Sequence, residues 1–364
     1  MYLDNRKKSY APALVFITLA FFSCAIFLSV PSGAQKIKQL PPPPPAPRYK
    51  PKPTPTPEYE VVRVSSNLVI APVSVTNTQG QPVLGLKTSD FRIEEDGHPQ
   101  EIAQLGDPEQ VPLDIALLID VSGSVVARFA FEQQAAASFL QQVLKPEDRA
   151  TIFAIDESPR MIQPLTTAQL AARKLLTVTP SNGYTAFFDS VLAAANYLDK
   201  SSSSSRRRIV VVISDGDDTA RILGVSAAQN RSDSMKLIGV DAQLQLIRKA
   251  QLDTQREVQR AEITFYSINP SGQTMHLNVR TARSEEGMER IAAATGGAAF
   301  VPRNESELSG IFQQIASEIR SQYLLQYYSN NKAGGTSFRR INVSTPAQPQ
   351  LHVRSREGYF PKGK

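Results

Sequence analysis

The sequence predicts an α/β fold with a doubly wound, mostly parallel sheet that is inserted in or flanked by a small all-β domain. Between residues 111 and 320, short apolar stretches alternate with segments of helical periodicity. This alternation is typical of parallel strands joined by crossover helices. Residues 60–110 and 321–364 carry short β patterns instead. Each flank is too short to bury a core alone, so we expect residues 321–364 to pack with residues 60–110.

The strands of the central sheet are the clearest predicted elements. Residues 113–119, 209–213 and 263–268 are almost continuous apolar runs, as expected for strands buried on both faces. A helix before Pro146 and another over residues 185–199 separate them. These elements define a predicted domain over residues 111–320.

One stretch of this domain, residues 219–261, is longer than a single crossover needs. It contains a predicted helix from about residue 237 to residue 260, rich in Gln, Arg and Lys. We interpret the stretch as an insertion on the flank of the sheet.

The N-terminus has the pattern of a secretory signal peptide. Basic residues 6–8 precede an apolar run over residues 13–30, and the small residues Ser32 and Ala34 follow it. Residues 1–34 are therefore predicted to be a cleaved signal or an N-terminal membrane anchor, since the run approaches the length that spans a bilayer. In both cases the protein is exported to the periplasm, the cell envelope or the extracellular space, either free or tethered through residues 13–30.

Composition indicates a linker and excludes several kinds of site and partner. Residues 35–59 are rich in proline, which favours an extended linker. The single cysteine, Cys24, lies within the apolar run, which excludes a disulfide framework and a cysteine-based zinc site. The formal net charge is +6, but the basic residues are scattered apart from residues 206–208. We interpret that triplet as a solvated entry to a strand and expect no nucleic-acid partner.

Three short polar segments carry the candidate chemistry. DVSGS begins at Asp120 after the first buried strand, GYT ends at Thr185 before a helix, and SDGDD begins at Ser214 after another buried strand. Ligands of open α/β sheets bind at the carboxyl ends of the strands, so these segments are expected to converge. Their carboxylates and hydroxyls suit Mg²⁺, Mn²⁺ or Ca²⁺. The alternative is structural, because Asp120 can cap a helix and Asp215 can form a turn.

The segments DVSGS, GYTAFFDSV and VVISDGDDT resemble the metal-ion-dependent adhesion site of von Willebrand factor A domains. The resemblance implies a Mg²⁺ site, or one for Mn²⁺ or Ca²⁺. Tyr184 stands where the family often has a small residue, and we expect Tyr184 and Asp217 at the rim where a ligand binds. The implied metal ligands are Asp120, Ser122, Ser124, Thr185 and Asp215. Sequences on both sides of these segments, over residues 62–360, resemble the acidobacterial VWFA-related proteins, and residues 219–261 depart from that pattern.

The resemblance implies an exported protein that binds a protein partner, which presents an Asp or Glu to the metal. Two alternatives stay open: a structural cell-envelope protein with a silent metal site, and a metal-dependent hydrolase. The hydrolase is disfavoured because a catalytic triad needs a positioned histidine. The three histidines His98, His276 and His352 are interpreted as surface or strand residues, so no enzymatic activity is expected.

Overall fold

The computed structural model describes residues 68–181, 183–222, 240–272, 279–331 and 335–361. The predicted signal or anchor over residues 1–34 and the proline-rich linker over residues 35–59 lie outside the described residues. Within the described ranges, no helix is both long enough and apolar enough to cross a bilayer.

The described residues form fourteen strands and seven α-helices, together with short 3₁₀ turns. The strands are β1 (Leu68–Thr76), β2 (Arg92–Glu95), β3 (His98–Gln100), β4 (Ile102–Gly106), β5 (Leu113–Asp120), β6 (Arg149–Ile155), β7 (Arg160–Thr166), β8 (Arg207–Ile213), β9 (Ile263–Ile268), β10 (Ala299–Phe300), β11 (Tyr323–Tyr328), β12 (Arg339–Ser344), β13 (His352–Ser355) and β14 (Gly358–Tyr359). The helices are α1 (Phe129–Val143), α2 (Ala168–Leu175), α3 (Phe187–Ser201), α4 (Thr219–Ile222), α5 (Val240–Arg260), α6 (Val279–Ala294) and α7 (Leu308–Ser321).

Six strands form the central sheet, in the order β10-β9-β8-β5-β6-β7. Every neighbouring pair is parallel except β6 and β7, which are antiparallel. Strands β5 and β8 lie in the middle of the sheet, and Ile119 is in register with Ile213. The predicted doubly wound, mostly parallel α/β fold is confirmed.

Helices cover both faces of this sheet. Because successive side chains of a strand point to opposite faces, β5 supplies Ile115 and Leu117 to one core and Ala116 and Leu118 to the other. The first core is shared with α1, α2 and α7, and the second with α3, α5 and α6. Both faces are therefore buried, which explains why the central strands are apolar between their polar ends.

Helix α5 has a different role from the one predicted for residues 219–261. It precedes β9, packs against α3 and α6, and buries Ala250 and Val258 in the second core. Since β8 and β9 are parallel neighbours, the chain must cross over between them, and α5 covers the sheet along that connection. The helix is thus part of the layer over the sheet, although the stretch is long.

The flanking segments together form two four-stranded sheets, β13-β1-β11-β4 and β14-β12-β2-β3. In the first sheet β1 from the N-terminal flank lies between β11 and β13 from the C-terminal flank. In the second, β2 pairs with β12. The inner faces of both sheets contribute to one hydrophobic core, which includes Val73, Ile93 and Tyr327. We call this unit the β-sandwich.

The basic triplet at residues 206–208 is not solvated as predicted. Arg208 is only 7% exposed and its Nη1 lies 3.0 Å from Asp199 Oδ1. Arg206 Nε donates to Asp114 Oδ1 at 2.8 Å, and Arg149 Nε donates to the same oxygen at 2.9 Å. The triplet is held by buried polar contacts at the amino ends of the central strands, which neighbouring residues in the sequence do not reveal.

Candidate metal site

The site begins at the carboxyl end of β5, where Asp120 is fully buried. Asp120 Oδ1 accepts a hydrogen bond from the Ser122 amide at 2.9 Å, and Oδ2 accepts one from Ser214 Oγ at 2.7 Å. Ser214 immediately follows β8, the neighbour of β5 in the sheet. The pairing of these two strands therefore brings the first and third polar segments together.

A tight turn follows Asp120. Residues Gly123–Val125 form a 3₁₀ turn, and Ser122 just before it is buried. The Ser122 carbonyl accepts the Val125 amide at 3.2 Å, so the turn curls over the end of the strand. Ser124 belongs to this turn, and its side chain lies outside the described part of the structure.

Hydrogen bonds that involve backbone groups connect the second segment and the start of α3 to the third segment and to the two residues after it. The Thr185 amide donates to Thr219 Oγ1 at 2.7 Å, and the Thr185 carbonyl accepts the Ala220 amide at 3.1 Å. The amide of Phe188, in the first turn of α3, donates to Asp218 Oδ2 at 3.1 Å. Thr185 is buried beside these contacts. The three predicted segments thus meet at one edge of the sheet.

The third segment turns sharply after Asp215. Gly216 has a φ of +77°, and a Cβ there would come within 2.8 Å of Met288. Only glycine adopts this conformation without strain at such a close approach. The turn lets the Asp217 amide donate to Asp215 Oδ1 at 3.1 Å, while Asp217 Oδ1 accepts Ser284 Oγ at 2.7 Å.

The rim of the site combines polar and apolar side chains. Asp217 is half-buried and Tyr184 is 40% exposed. Val126, just after the turn that follows Asp120, is 52% exposed. Val126 is absent from the predicted site. In the sequence, Val126 directly follows another valine, which is buried. The pattern alone does not show that one valine is buried and the next is exposed.

Negative charge is concentrated between the strand ends. Burial raises the pKa of Asp120 above its usual value. Burial and, after it, the charge of Asp120 raise the pKa of Asp215 to about 6. Arg128 is the cation whose charge opposes these shifts, but its Nε donates to Glu132 at 2.7 Å and it makes no ion pair with either aspartate within the described ranges. Two neighbouring carboxylates are thus held without a cation of their own.

This donor set fits a hard divalent cation. Carboxylate and hydroxyl oxygens are the preferred ligands of Mg²⁺, Mn²⁺ and Ca²⁺, and a cation would offset the repulsion between Asp120 and Asp215. No group of three or more His, Cys, Asp or Glu side chains forms a metal centre among the described residues. Hydroxyl groups, such as those of Ser122 and Thr185, would have to complete the coordination.

Several supporting residues are missing from the sequence-based prediction. The Ser214 hydroxyl donates to Asp120, and the Thr219 hydroxyl accepts the Thr185 amide. Asp218 accepts an amide from the first turn of α3. All three lie within the segment SDGDDT. The signal that could have identified them is that every residue of this segment except the glycine carries a side-chain oxygen.

The histidines lie elsewhere. His98 is in β3 and His352 is in β13, so both belong to the β-sandwich, and both are exposed. His276 lies outside the described residues. Neither described histidine belongs to the three segments of the site.

Comparison with solved structures finds matches at low sequence identity, all with TM-scores below 0.5. The PilB minor pilin from Streptococcus sanguinis is 14% identical with a TM-score of 0.44, covering 58% of this chain and 62% of its own. The vWF domain of the type V pili tip protein Mfa5 from Porphyromonas gingivalis is 14% identical with a TM-score of 0.42, over 57% and 95%. The von Willebrand factor type A protein from Catenulispora acidiphila is 12% identical with a TM-score of 0.43, over 82% and 64%. The match thus spans less than two thirds of the pilin.

The comparison with curated protein sequences finds no match. A sequence-family profile does match, and it is the profile of the von Willebrand factor type A domain. The matched residues run from β5 through β8 and include the strand ends that carry Asp120 and Asp215. Residues 115–217 of this chain form a von Willebrand factor type A domain.

Proposed function

We propose that this protein is exported and binds a protein partner through a divalent metal ion held at the carboxyl edge of the central sheet. The ion would be Mg²⁺, or Mn²⁺ or Ca²⁺, with Asp120, Ser122, Ser124, Thr185 and Asp215 as its ligands or near ligands. The observation that carries the proposal is the meeting of three polar segments around the fully buried Asp120 and the half-buried Asp215, neither of which has an ion pair among the described residues.

The match to the von Willebrand factor type A profile also favours binding over catalysis. Von Willebrand factor type A domains often serve in adhesion and protein interaction and typically lack catalytic activity. The ion would be accessible from the rim, where Tyr184 and Val126 are exposed. A metal with an open coordination position next to exposed apolar side chains offers both an anchor point and contact area.

The chemistry of the ion indicates what the partner presents. Serine and threonine hydroxyls are neutral, so they leave the charge of a divalent cation to Asp120 and Asp215. If one of these carboxylates acts through water, the directly bound shell stays positive. An anionic oxygen from an Asp or Glu of the partner is then the natural remaining ligand, because charge-assisted contacts are the strong ones.

The rim would supply much of the binding energy. Aromatic side chains are frequent energetic centres of interfaces, and Tyr184 is an exposed aromatic residue between Gly183 and the buried Thr185. Asp217 lies beside the same edge and is held by Ser284. Its charge would disfavour a second acidic group close to the metal-bound one.

Export is proposed from the sequence of residues 1–34. A basic start, an apolar run and small residues before Gln35 are typical of a cleaved signal, and the length of the run also suits an anchor. Cell fractionation tests this proposal. Recovery of the chain in the cytosol would contradict it.

Metal binding is tested by calorimetry with MgCl₂ and MnCl₂ on the purified chain. We expect one bound ion, and loss of binding in Asp120→Ala and Asp215→Ala. The matched control is Asp253→Ala, because Asp253 is a half-buried aspartate of α5 whose one ion pair among the described residues is with Arg256 at 3.8 Å. Unchanged binding after Asp120→Ala would refute the assignment of the site.

Partner binding is tested by capture from an envelope extract. We expect captured protein to be released by EDTA, restored by Mg²⁺, absent with Asp215→Ala and retained with Asp253→Ala. Capture that survives both EDTA and Asp215→Ala would mean that the interface lies elsewhere on the molecule.

A further inference from the structure

A second candidate site lies at the opposite end of the central sheet. A cavity of about 410 Å³ lies between the amino ends of β8 and β9 and the β-sandwich strands β1, β11 and β14. Five arginines line it, while Glu262 is the one lining carboxylate. The arginines are Arg206, Arg207, Arg208, Arg339 and Arg356. The cavity is thus strongly basic.

Three of the five guanidinium groups have carboxylate partners. Arg206 pairs with Asp114 at 2.8 Å and Arg208 with Asp199 at 3.0 Å. Arg339 Nη1 lies 3.1 Å from Glu95 Oε1. Each of these three therefore has a carboxylate within ion-pair distance, although Arg206 shares Asp114 with Arg149.

The other two are not balanced in the same way. Arg207 donates to the carbonyl of Ile319 at 2.9 Å and to Gln322 Oε1, both neutral oxygens, and no carboxylate of the described residues lies within ion-pair distance. Within the described residues, the one ion pair of Arg356 is a loose contact of 3.6 Å with the exposed Glu262. Positive charge is left over at this end of the sheet.

Both residues also have unused hydrogen-bond donors. Within the described residues, Arg207 Nη1 and Arg356 Nε are buried and have no hydrogen-bond partner. Burial lowers the pKa of Arg207 to about 10. An unpaired buried donor on a charged group costs free energy, and an unseen ion is one of its ordinary explanations. Arg207 and Arg356 therefore each have one buried donor without an acceptor and no close carboxylate among the described residues, whereas Arg208, whose Nε is also unpartnered, has Asp199 beside it.

The remaining lining is largely apolar. Ile70 and Leu324 of the β-sandwich line one part of the cavity, with Tyr359 and Phe360 from the C-terminal segment. Arg356 lies 5.3 Å from the centre of the Tyr359 ring. A volume of this size is within the range of small-molecule sites, which combine an apolar lining with a few polar groups.

We propose that this cavity binds a small organic oxyanion, with a phosphate or carboxylate head at Arg207 and Arg356 and an apolar body against Tyr359 and Phe360. Guanidinium groups match both head groups because their paired N–H donors can contact two oxygens at once. The site is independent of the metal site, which lies at the carboxyl ends of the same strands.

The test uses the full chain and four probes in calorimetry: phenyl phosphate, benzoate, inorganic phosphate and phenol. We expect one of the first two to bind with a stoichiometry of one, about tenfold or more tighter than inorganic phosphate. Phenol should not bind, because it has the ring without the charge. Whichever of phenyl phosphate and benzoate binds tighter identifies the head group.

Variants then locate the bound anion. Arg356→Gln and Arg207→Gln should each weaken binding by about tenfold or more. Arg92→Gln is the matched control, because Arg92 is an exposed arginine that pairs with Glu94, and it should bind as the wild type. Asp215→Ala and EDTA should leave anion binding unchanged, which separates this site from the metal site.

Two results would overturn the proposal: no binding of either organic anion at millimolar concentration, or wild-type binding in Arg356→Gln. The second decides the matter even if Arg207→Gln fails to fold, since Arg356 makes a single loose ion pair among the described residues. Equal affinity for inorganic and phenyl phosphate would overturn the role of the apolar lining.

Discussion

Strand β5 carries a fully buried aspartate near each end, and the two have opposite surroundings. Asp114, at the amino end, accepts hydrogen bonds from Arg149 and Arg206. Asp120, at the carboxyl end, accepts hydrogen bonds from the Ser122 amide and from the hydroxyls of Ser122 and Ser214, and it has no ion pair within the described residues. The same residue type, on the same strand and at the same depth, is neutralised by the chain in one place and left without a counter-ion in the other.

The difference separates structural charge from functional charge. The charge of a buried carboxylate with two guanidinium partners is neutralised within the protein, and removing the carboxylate leaves those cations unpaired. Asp120 lies next to a second carboxylate, that of Asp215, and its charge is not neutralised in this way. The pKa values of both aspartates are raised. The burial of an acidic residue alone is thus a poor indicator of a site. The absence of a cationic partner is the better one.

The largest expected effect on stability comes from a change at the amino end of β5. Asp114→Asn removes the carboxylate from Arg149 and Arg206, and we expect the free energy of unfolding to fall by about 3 kcal/mol. The value is at the low end for buried pairs because Arg149 is partly exposed. Urea unfolding measures it. Asp253→Asn serves as the control and should change stability by less than about 0.5 kcal/mol. A loss below about 1 kcal/mol in Asp114→Asn would show that the arginines find other partners.

The second effect is metal-dependent stability at the carboxyl end. Mg²⁺ at about one hundred times its dissociation constant should raise the free energy of unfolding by about 2.7 kcal/mol, because the ion binds only the folded chain. EDTA should reverse the increase, and thermal or urea unfolding detects both changes. Asp215→Asn should not respond to Mg²⁺. An equal response in that variant would place the ion elsewhere.

A smaller effect concerns the rim. Tyr184→Ala should weaken binding of a captured partner by about tenfold, since a truncated aromatic anchor costs roughly 1–2 kcal/mol. Its Mg²⁺ affinity should stay at the wild-type value, because the change removes no coordinating oxygen. Tyr328→Ala is the matched control, as Tyr328 is an exposed tyrosine of the β-sandwich. Equal losses in both variants would argue against a rim interface.

The smallest effect sharpens the comparison directly. In the absence of metal, Asp120→Asn should change the free energy of unfolding by less than about 1 kcal/mol at pH 7. Burial raises the pKa of Asp120, so its ionised form is disfavoured in the folded state and its removal costs little. A loss as large as that of Asp114→Asn would mean that the Asp120 carboxylate is structural. The measurement is urea unfolding in EDTA, beside Asp114→Asn.

Much of the central sheet could be predicted because its strands are apolar on both faces. The edge strand β7 was not predicted, and neither was α2. Strand β7 pairs on one side only and is largely half-buried or exposed, so it lacks an apolar pattern. Helix α2 has eight residues and buries two alanines and one leucine, which is too little for a clear helical periodicity.

The candidate site could be located from the order of its motifs but not assembled from them. The positions of Asp120 and Asp215 after apolar runs predicted strand ends, whereas the adjacency of β5 and β8 depends on tertiary pairing. The arginine triplet shows the same limit. Arg206 reaches an aspartate 92 residues away, and this partner is invisible in the local pattern that suggested a solvated strand entry.

The shared strands of the β-sandwich also have a consequence for how the chain folds. The Leu86 amide donates a hydrogen bond to the Tyr323 hydroxyl across a separation of 237 residues. The von Willebrand factor type A domain lies between these two residues in the sequence. Closing so long a loop is entropically costly while the intervening chain is disordered. Because β4 and β11 pair with each other and flank this domain, its prior folding would bring the two halves close. We therefore expect the β-sandwich to form last, because its N-terminal strands pair with strands that are synthesised at the end of the chain.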